Sequence, residues 1–133
     1  MSHRRVVITG MGAVSPLGCD IETIWKRLLA GQSGIRVLPE EIVETLSVKI
    51  GGQVQTKEQD PESGFDPDQF VVPKDQKKMD RFILFAMAAA DMAVADAGWK
   101  AETQEQQERT ATVIGSGIGG FPAIAHAVRT NDS

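Results

Sequence analysis

The stretch from Met79 to Ala97 constrains the fold more than any other part of this sequence. Met79, Phe82, Ile83, Ala86, Ala90, Ala93, Val94 and Ala97 keep helical spacing. Leu84, Phe85, Met87, Ala88, Met92 and Ala95 cover most of the other side. A helix that is apolar nearly all round is expected to be buried on several faces. The alanines between positions 86 and 97 would let another backbone approach closely, and Gly98 is placed to end the helix.

The rest of the chain is read as partners for that helix. Arg5-Val6-Val7-Ile8-Thr9-Gly10 is a short β-branched run ending in glycine, which predicts a buried strand. Asp20 is a candidate N-cap for a helix whose stripe is Ile21, Ile24, Trp25, Leu28 and Leu29, with Gly31 as its stop. Pro39 could open a short helix through Leu46. Val48-Lys49-Ile50 alternates like a strand, and Gly51-Gly52 is expected to interrupt it. The polar stretch from Gln55 to Gln76 reads as a surface excursion anchored by Phe65, Phe70, Val71 and Val72. Lys100 to Arg109 is a polar connection. Thr110 to Ile114 is a second strand candidate, followed by a glycine-rich turn and a helical pattern from Pro122 to Arg129.

This order of strand, helix, irregular insert over about 35–78, buried helix, strand and helix predicts an α/β class with a mostly parallel sheet. The last helical pattern has barely begun when the sequence stops, and the buried helix needs more partners than this. Both predict the leading part of a longer protein.

Composition narrows the function classes. A net charge of −4 over 133 residues does not suit a general electrostatic grip on nucleic acid or anionic lipid. The longest unbroken apolar run, Phe82 to Ala90, is well short of the roughly 20 residues a membrane span needs. Met1 to Val6 is charged and no long apolar run precedes Thr9-Gly10, so no signal peptide is expected and a cytoplasmic protein is the default. One cysteine excludes an intrachain disulfide framework, and two histidines, His3 and His126, do not favour a metal site.

Few residues invite chemistry. Gly115, Gly117 and Gly120 fit the G-x-G-x-x-G spacing of a dinucleotide turn after a strand. The acidic ribose-binding residue expected about 20 positions later is missing. A turn that packs strand against helix, or lines a cavity, is the plainer reading. Cys19 precedes a helix, which could lower its pKa, but Asp20 opposes the thiolate and no histidine is near in sequence. His126 lies in an apolar context and reads as structural, His3 as exposed, and Glu40, Glu41 and Glu44 as a solvated helix face. Lys74, Lys77, Lys78 and Arg81 follow i, i+3, i+4, i+7, so one helical face could carry all four. They read either as a solvated N-terminal turn or, because cations at a helix N-terminus oppose its dipole, as a patch for an acidic partner.

The residues from Arg4 to Gly18 resemble the opening of the β-ketoacyl-acyl carrier protein synthases, most of all the elongating type II enzymes of bacterial fatty acid synthesis. Trp25 to Ile35, Lys77 to Phe82 and Gly115 to Gly120 agree with the same family, in order. The resemblance runs over essentially the whole chain. It implies a partial N-terminal domain, 1–133, of a thiolase-like α/β/α/β/α sandwich. It also implies a homodimeric acyltransferase that needs no cofactor. In such enzymes an acyl group passes from acyl carrier protein to a cysteine. Malonyl-acyl carrier protein then loses CO₂, and its carbanion attacks the thioester.

The family's nucleophilic cysteine and two catalytic histidines would lie beyond Ser133, so no catalytic residue is assigned here. Cys19 and His126 match none of the three. The chain by itself is therefore expected to be inactive. Ile118 matches the residue that gates the acyl pocket, with Gly117 and Gly119 allowing close approach. Lys74, Lys77 and Lys78 match the residues that receive the carrier protein. Pro73 stands where some relatives have another cation, which predicts a weaker patch. Two other readings compete: a non-enzymatic interaction fragment, and a nucleotide-binding module built on Gly115 to Gly120.

Overall fold

A computed structural model describes residues 4–131, so the expectation for His3 lies outside the described residues. The first helix, α1 (Ile21–Leu29), forms where its stripe and its cap agree. Asp20 is extended, and its Oδ1 accepts from the Thr23 amide at 2.7 Å. Such a cap contributes about 1 kcal/mol. At the other end Gly31 takes φ +68°. Its amide donates to the Leu28 carbonyl, and the Gln32 amide donates to that of Arg27. This left-handed closure satisfies the last carbonyls of the helix.

A hairpin-like pair follows. Strand β1 (Ile35–Val37) pairs antiparallel with β2 (Ile50–Gly52), with Ile35 opposite Gly52 and Val37 opposite Ile50. The short helix α2 (Glu40–Val43) lies between them, with Glu40, Glu41 and Glu44 in solvent and Val43 buried. The expected strand at 48–50 is thus displaced, and Gly51-Gly52 belongs to it rather than interrupting it. Close approach is the reason. A Cβ on Gly51 would lie 3.0 Å from Leu38 Cδ1, and one on Gly52 would lie 3.0 Å from Pro16 Cγ.

The expected parallel sheet is not found among the described residues, where the sheet has two antiparallel strands. Residues 5–10 and 110–114 form no ladder. A strand exists only through its neighbour, and these two runs have none. Val6 is 93% exposed and Val113 92%. The first run is nonetheless fixed at its end, because Gly10 and Gly12 lie directly on the long helix α4 (Arg81–Ala97). A Cβ on Gly10 would meet Ala97 Cβ at 2.7 Å, and one on Gly12 would meet Met92 Cβ at 2.8 Å. The Met11 amide donates to Asp96 Oδ2 at 2.9 Å.

The polar stretch 55–76 supplies much of the core. Phe65 and Val71 are buried with Val43 and Ala88. The Phe65 ring meets Phe85 edge-on at 4.9 Å and stacks on Phe70 at 6.3 Å. A single 3₁₀ turn at Pro67–Gln69 and the short helix α3 (Pro73–Gln76) follow.

Helix α4 ends at Gly98 as expected, in the left-handed region at φ +58°. It is not buried on several faces, because only Ala88 is fully enclosed, and Val94 is 53% exposed. One alanine-lined side takes Gly10 and Gly12, and the Phe85 side takes Phe65. The remaining faces meet too little of the chain to be covered. Helix α5 (Gln104–Glu108) stands within the stretch read as a polar connection. Thr103 and Gln106 form its capping box. Helix α6 (Phe121–Asn131) closes the described chain.

Candidate functional site

Two of the sequence-derived features meet at the start of α4. The first is the run of cations. Helix α3 stops at Gln76, Lys78 and Met79 make i-to-i−3 turn bonds to Asp75 and Gln76, and Asp80 is extended at ψ 154°. The helix therefore breaks between Lys77 and Asp80 and restarts at Arg81. The single helical face expected for Lys74, Lys77, Lys78 and Arg81 does not form, because an extended residue interrupts the phase that their spacing assumed. Lys74, Lys77 and Lys78 are exposed.

Arg81 is not available to a partner in the same way. Its Nη2 donates to the Val54 carbonyl at 2.7 Å, and its guanidinium lies 5.1 Å over the Phe85 ring. Gln76 secures the other side of the break. Its Nε2 donates to the Val71 carbonyl at 2.6 Å and to Asp68 Oδ1 at 2.7 Å.

The second feature is the glycine-rich turn. Ile118 at its tip is 76% exposed. Gly119 adopts φ +78°, a conformation that disfavours side chains, and a Cβ there would lie 3.7 Å from the Phe82 ring. Gly117 faces open space. Gly120 abuts Asp80, where a Cβ would lie 3.2 Å from the carboxyl carbon and inside contact distance of Oδ2. The turn and the lysine segment are therefore neighbours, joined through Asp80 and Phe82. Nothing in the spacing of Gly115 to Gly120 signalled that juxtaposition.

Cys19 has a structural setting. Its amide donates to Ser63 Oγ at 2.8 Å, and the buried Ser63 hydroxyl in turn donates to Asp20. Burial pushes the thiol above its ordinary pKa, and the charges of Asp20 and Asp60 push the same way. A backbone hydrogen bond at Ser15 and the Arg81 charge oppose them. The thiolate, which is the reactive form, is disfavoured. His126 stands exposed on α6, and its carbonyl accepts from the Thr130 hydroxyl at 2.9 Å.

Sequence reasoning missed the polar cluster beside Cys19. Arg27 donates through Nη1 to the Leu17 carbonyl at 2.8 Å, and through both Nη atoms to the Asp60 carboxylate. Its Nη2 also reaches Glu62 Oε2 at 2.8 Å. The guanidinium holds the Asp60 carboxyl down at about 2. Arg27 and Asp60 are far apart in sequence, so no local signal could have paired them.

Comparison with known proteins assigns the family. The family described as "Beta-ketoacyl synthase, N-terminal domain" matches residues 3–133. The chain is 51% identical over 124 residues to 3-oxoacyl-[acyl-carrier-protein] synthase 2 of Rhizobium meliloti, covering 93% of this chain and 29% of that protein. It is 43% identical over 124 residues to the synthase 2 of Vibrio cholerae, covering 93% and 28%. To the mitochondrial 3-oxoacyl-[acyl-carrier-protein] synthase of Arabidopsis thaliana it is 37% identical over 137 residues, covering 96% and 30%. The chain thus spans less than a third of the length of the curated relatives it matches. On these matches, and with a glycine turn seated beside the start of a long alanine-rich helix, the chain belongs to the beta-ketoacyl synthase family as an N-terminal domain sequence.

Proposed function

We propose that the protein carrying this segment elongates fatty acids by decarboxylative condensation of malonyl-acyl carrier protein with an enzyme-bound acyl thioester. The observation that carries the reading is the contact of the Ile118 turn with Asp80 and Phe82, a few residues beyond the exposed lysines in the chain. The relatives' name, 3-oxoacyl-[acyl-carrier-protein] synthase, supports a carrier-bound substrate. A cysteine takes the acyl group from the carrier, releasing the carrier thiol. Loss of CO₂ from the malonyl thioester leaves a carbanion, which attacks the acyl carbonyl and expels the cysteine thiolate. The chemistry rests on a nucleophile and donors to the thioester oxygen.

In this reading Lys74, Lys77 and Lys78 receive the acidic carrier protein. Ile118 gates the acyl pocket, with Gly117 and Gly119 giving the turn its shape. The nucleophile is not Cys19, whose raised pKa and hydrogen-bonded backbone suit a structural role. The chain alone is accordingly inactive, and the complete protein is a cytoplasmic homodimer without organic cofactor. The unpaired runs at 5–10 and 110–114 become strands of a mostly parallel sheet there. Their exposed apolar side chains support this, because such surface is normally buried against a partner.

The test uses the full-length protein. Lys77→Glu with Lys78→Glu should lower kcat/KM about tenfold with carrier-bound acyl substrate, chiefly through slower association. Turnover of a carrier-free acyl thioester should be unchanged. An equal loss with both substrates refutes docking at this patch. Absence of ketoacyl product from the wild-type protein refutes the reading as a whole.

A further inference from the structure

We propose that Asp80 is a positioning residue that locks the Gly117–Gly120 turn to the lysine segment, and so sets how strictly the turn selects acyl chains. The inference rests on the reading of Ile118 as the pocket gate. Three observations carry it. Asp80 stands at the N-cap of α4, where an aspartate ordinarily accepts from its own helix's amides, yet its side chain makes no such bond. Its carboxylate instead lies against Gly120, which has no Cβ to keep it away. Gly120 also opens α6, since its carbonyl accepts from the Ile124 amide at 3.0 Å.

The carboxylate is thus placed beside the first turn of an eleven-residue helix, the end at which negative charge is stabilised. The Asp80 side chain caps no amide of its own helix, and its carboxylate stands at the start of another. Lys77 and Lys78 precede it by three and two positions, and Phe82 behind it meets Gly119 at 3.7 Å from the Cβ position. The loop that would receive a carrier protein and the turn that would grade the acyl chain therefore share one fixed point.

The test compares kcat/KM for accepted and over-long carrier-free acyl thioesters in the full-length synthase. Asp80→Ala should relax that ratio about fivefold, because a turn without its anchor gates loosely. Gly120→Ala inserts a methyl group into the carboxylate and should cut turnover of the accepted chain about tenfold. Asp80→Ala combined with Gly120→Ala should recover most of that loss, since the clash is gone.

An unchanged ratio in Asp80→Ala, or a double variant whose loss equals the product of the single losses, overturns the inference. If Gly120→Ala does not fold, Asp80→Asn decides. It keeps the shape, removes the charge and should relax the ratio about twofold, and no change overturns the inference. Ile118→Phe separates the two levels. If it shifts chain preference and the Asp80 variants do not, only the positioning role fails. If Ile118→Phe shifts nothing, the gate reading falls and the inference falls with it.

Discussion

Arg27 and the lysines at 74, 77 and 78 are all cations close to a helix end, yet the fold uses them in opposite ways. Arg27 sits in the last turn of α1 and is bound by Leu17, Asp60 and Glu62, with its side chain only 13% exposed. The lysines surround the break before α4 and project into solvent. In the α1 corner each charge is answered within the chain, down to the buried Ser63 hydroxyl between Cys19 and Asp20. At the start of α4 the charge is left for something else to answer. The first arrangement holds the molecule together, and the second presents a surface.

Removing a partner in the two places should separate them. The largest loss is expected for Arg27→Met, which leaves Asp60 without its guanidinium partner while Glu62 keeps Lys26. It should destabilise the full-length protein by about 3 kcal/mol, read by urea unfolding followed through Trp25 on α1. Gly12→Val tests the seam between the corner and α4. Its side chain would run into the Ala93 amide at 2.7 Å, for a loss of about 2–3 kcal/mol. Ser63→Ala removes the hydroxyl that links Cys19 to Asp20 and should cost about 1–2 kcal/mol. If any of these three is as neutral as a surface change, the corner is not where the stability resides.

Acid should act on the same corner. The Asp60 carboxyl is depressed to about 2 by the Arg27 hydrogen bonds, from an ordinary value of 3.8. The folded state therefore binds this proton less readily than the unfolded state does. The contribution is full above pH 3.8 and is lost as the pH falls through about 2. An Arg27→Met protein should lack this portion of the acid transition. A transition of unchanged shape in that variant would show that Asp60 is not the group responsible.

How legible this was depended on range along the chain. Helix α1 was written locally: Asp20 caps it, the apolar stripe drives it and Gly31 stops it. Helix α5 carried an equally local signal in Thr103 and Gln106, but it is polar all round and so escaped a search for apolar faces. The runs at 5–10 and 110–114 have strand composition, yet pairing is non-local and no partner lies within the described residues. Gly51 and Gly52 looked like breaks because glycine's usual meaning is flexibility, whereas here it makes room for Leu38 and Pro16. At the site, the lysines and the glycine turn were each visible as motifs. Their adjacency was not, because it passes through Asp80, whose place against Gly120 only the fold creates.

The smallest effect expected is also the sharpest test of the comparison. Lys77→Glu with Lys78→Glu reverses two charges in an exposed turn, with no ion pair among the described residues to break. Surface changes of this kind stay within about 0.5 kcal/mol. The urea midpoint should therefore hardly move. A loss comparable to that of Arg27→Met would mean that the lysines, too, belong to the scaffold. The division of the molecule into a self-satisfied corner and a presenting surface would then have to be abandoned.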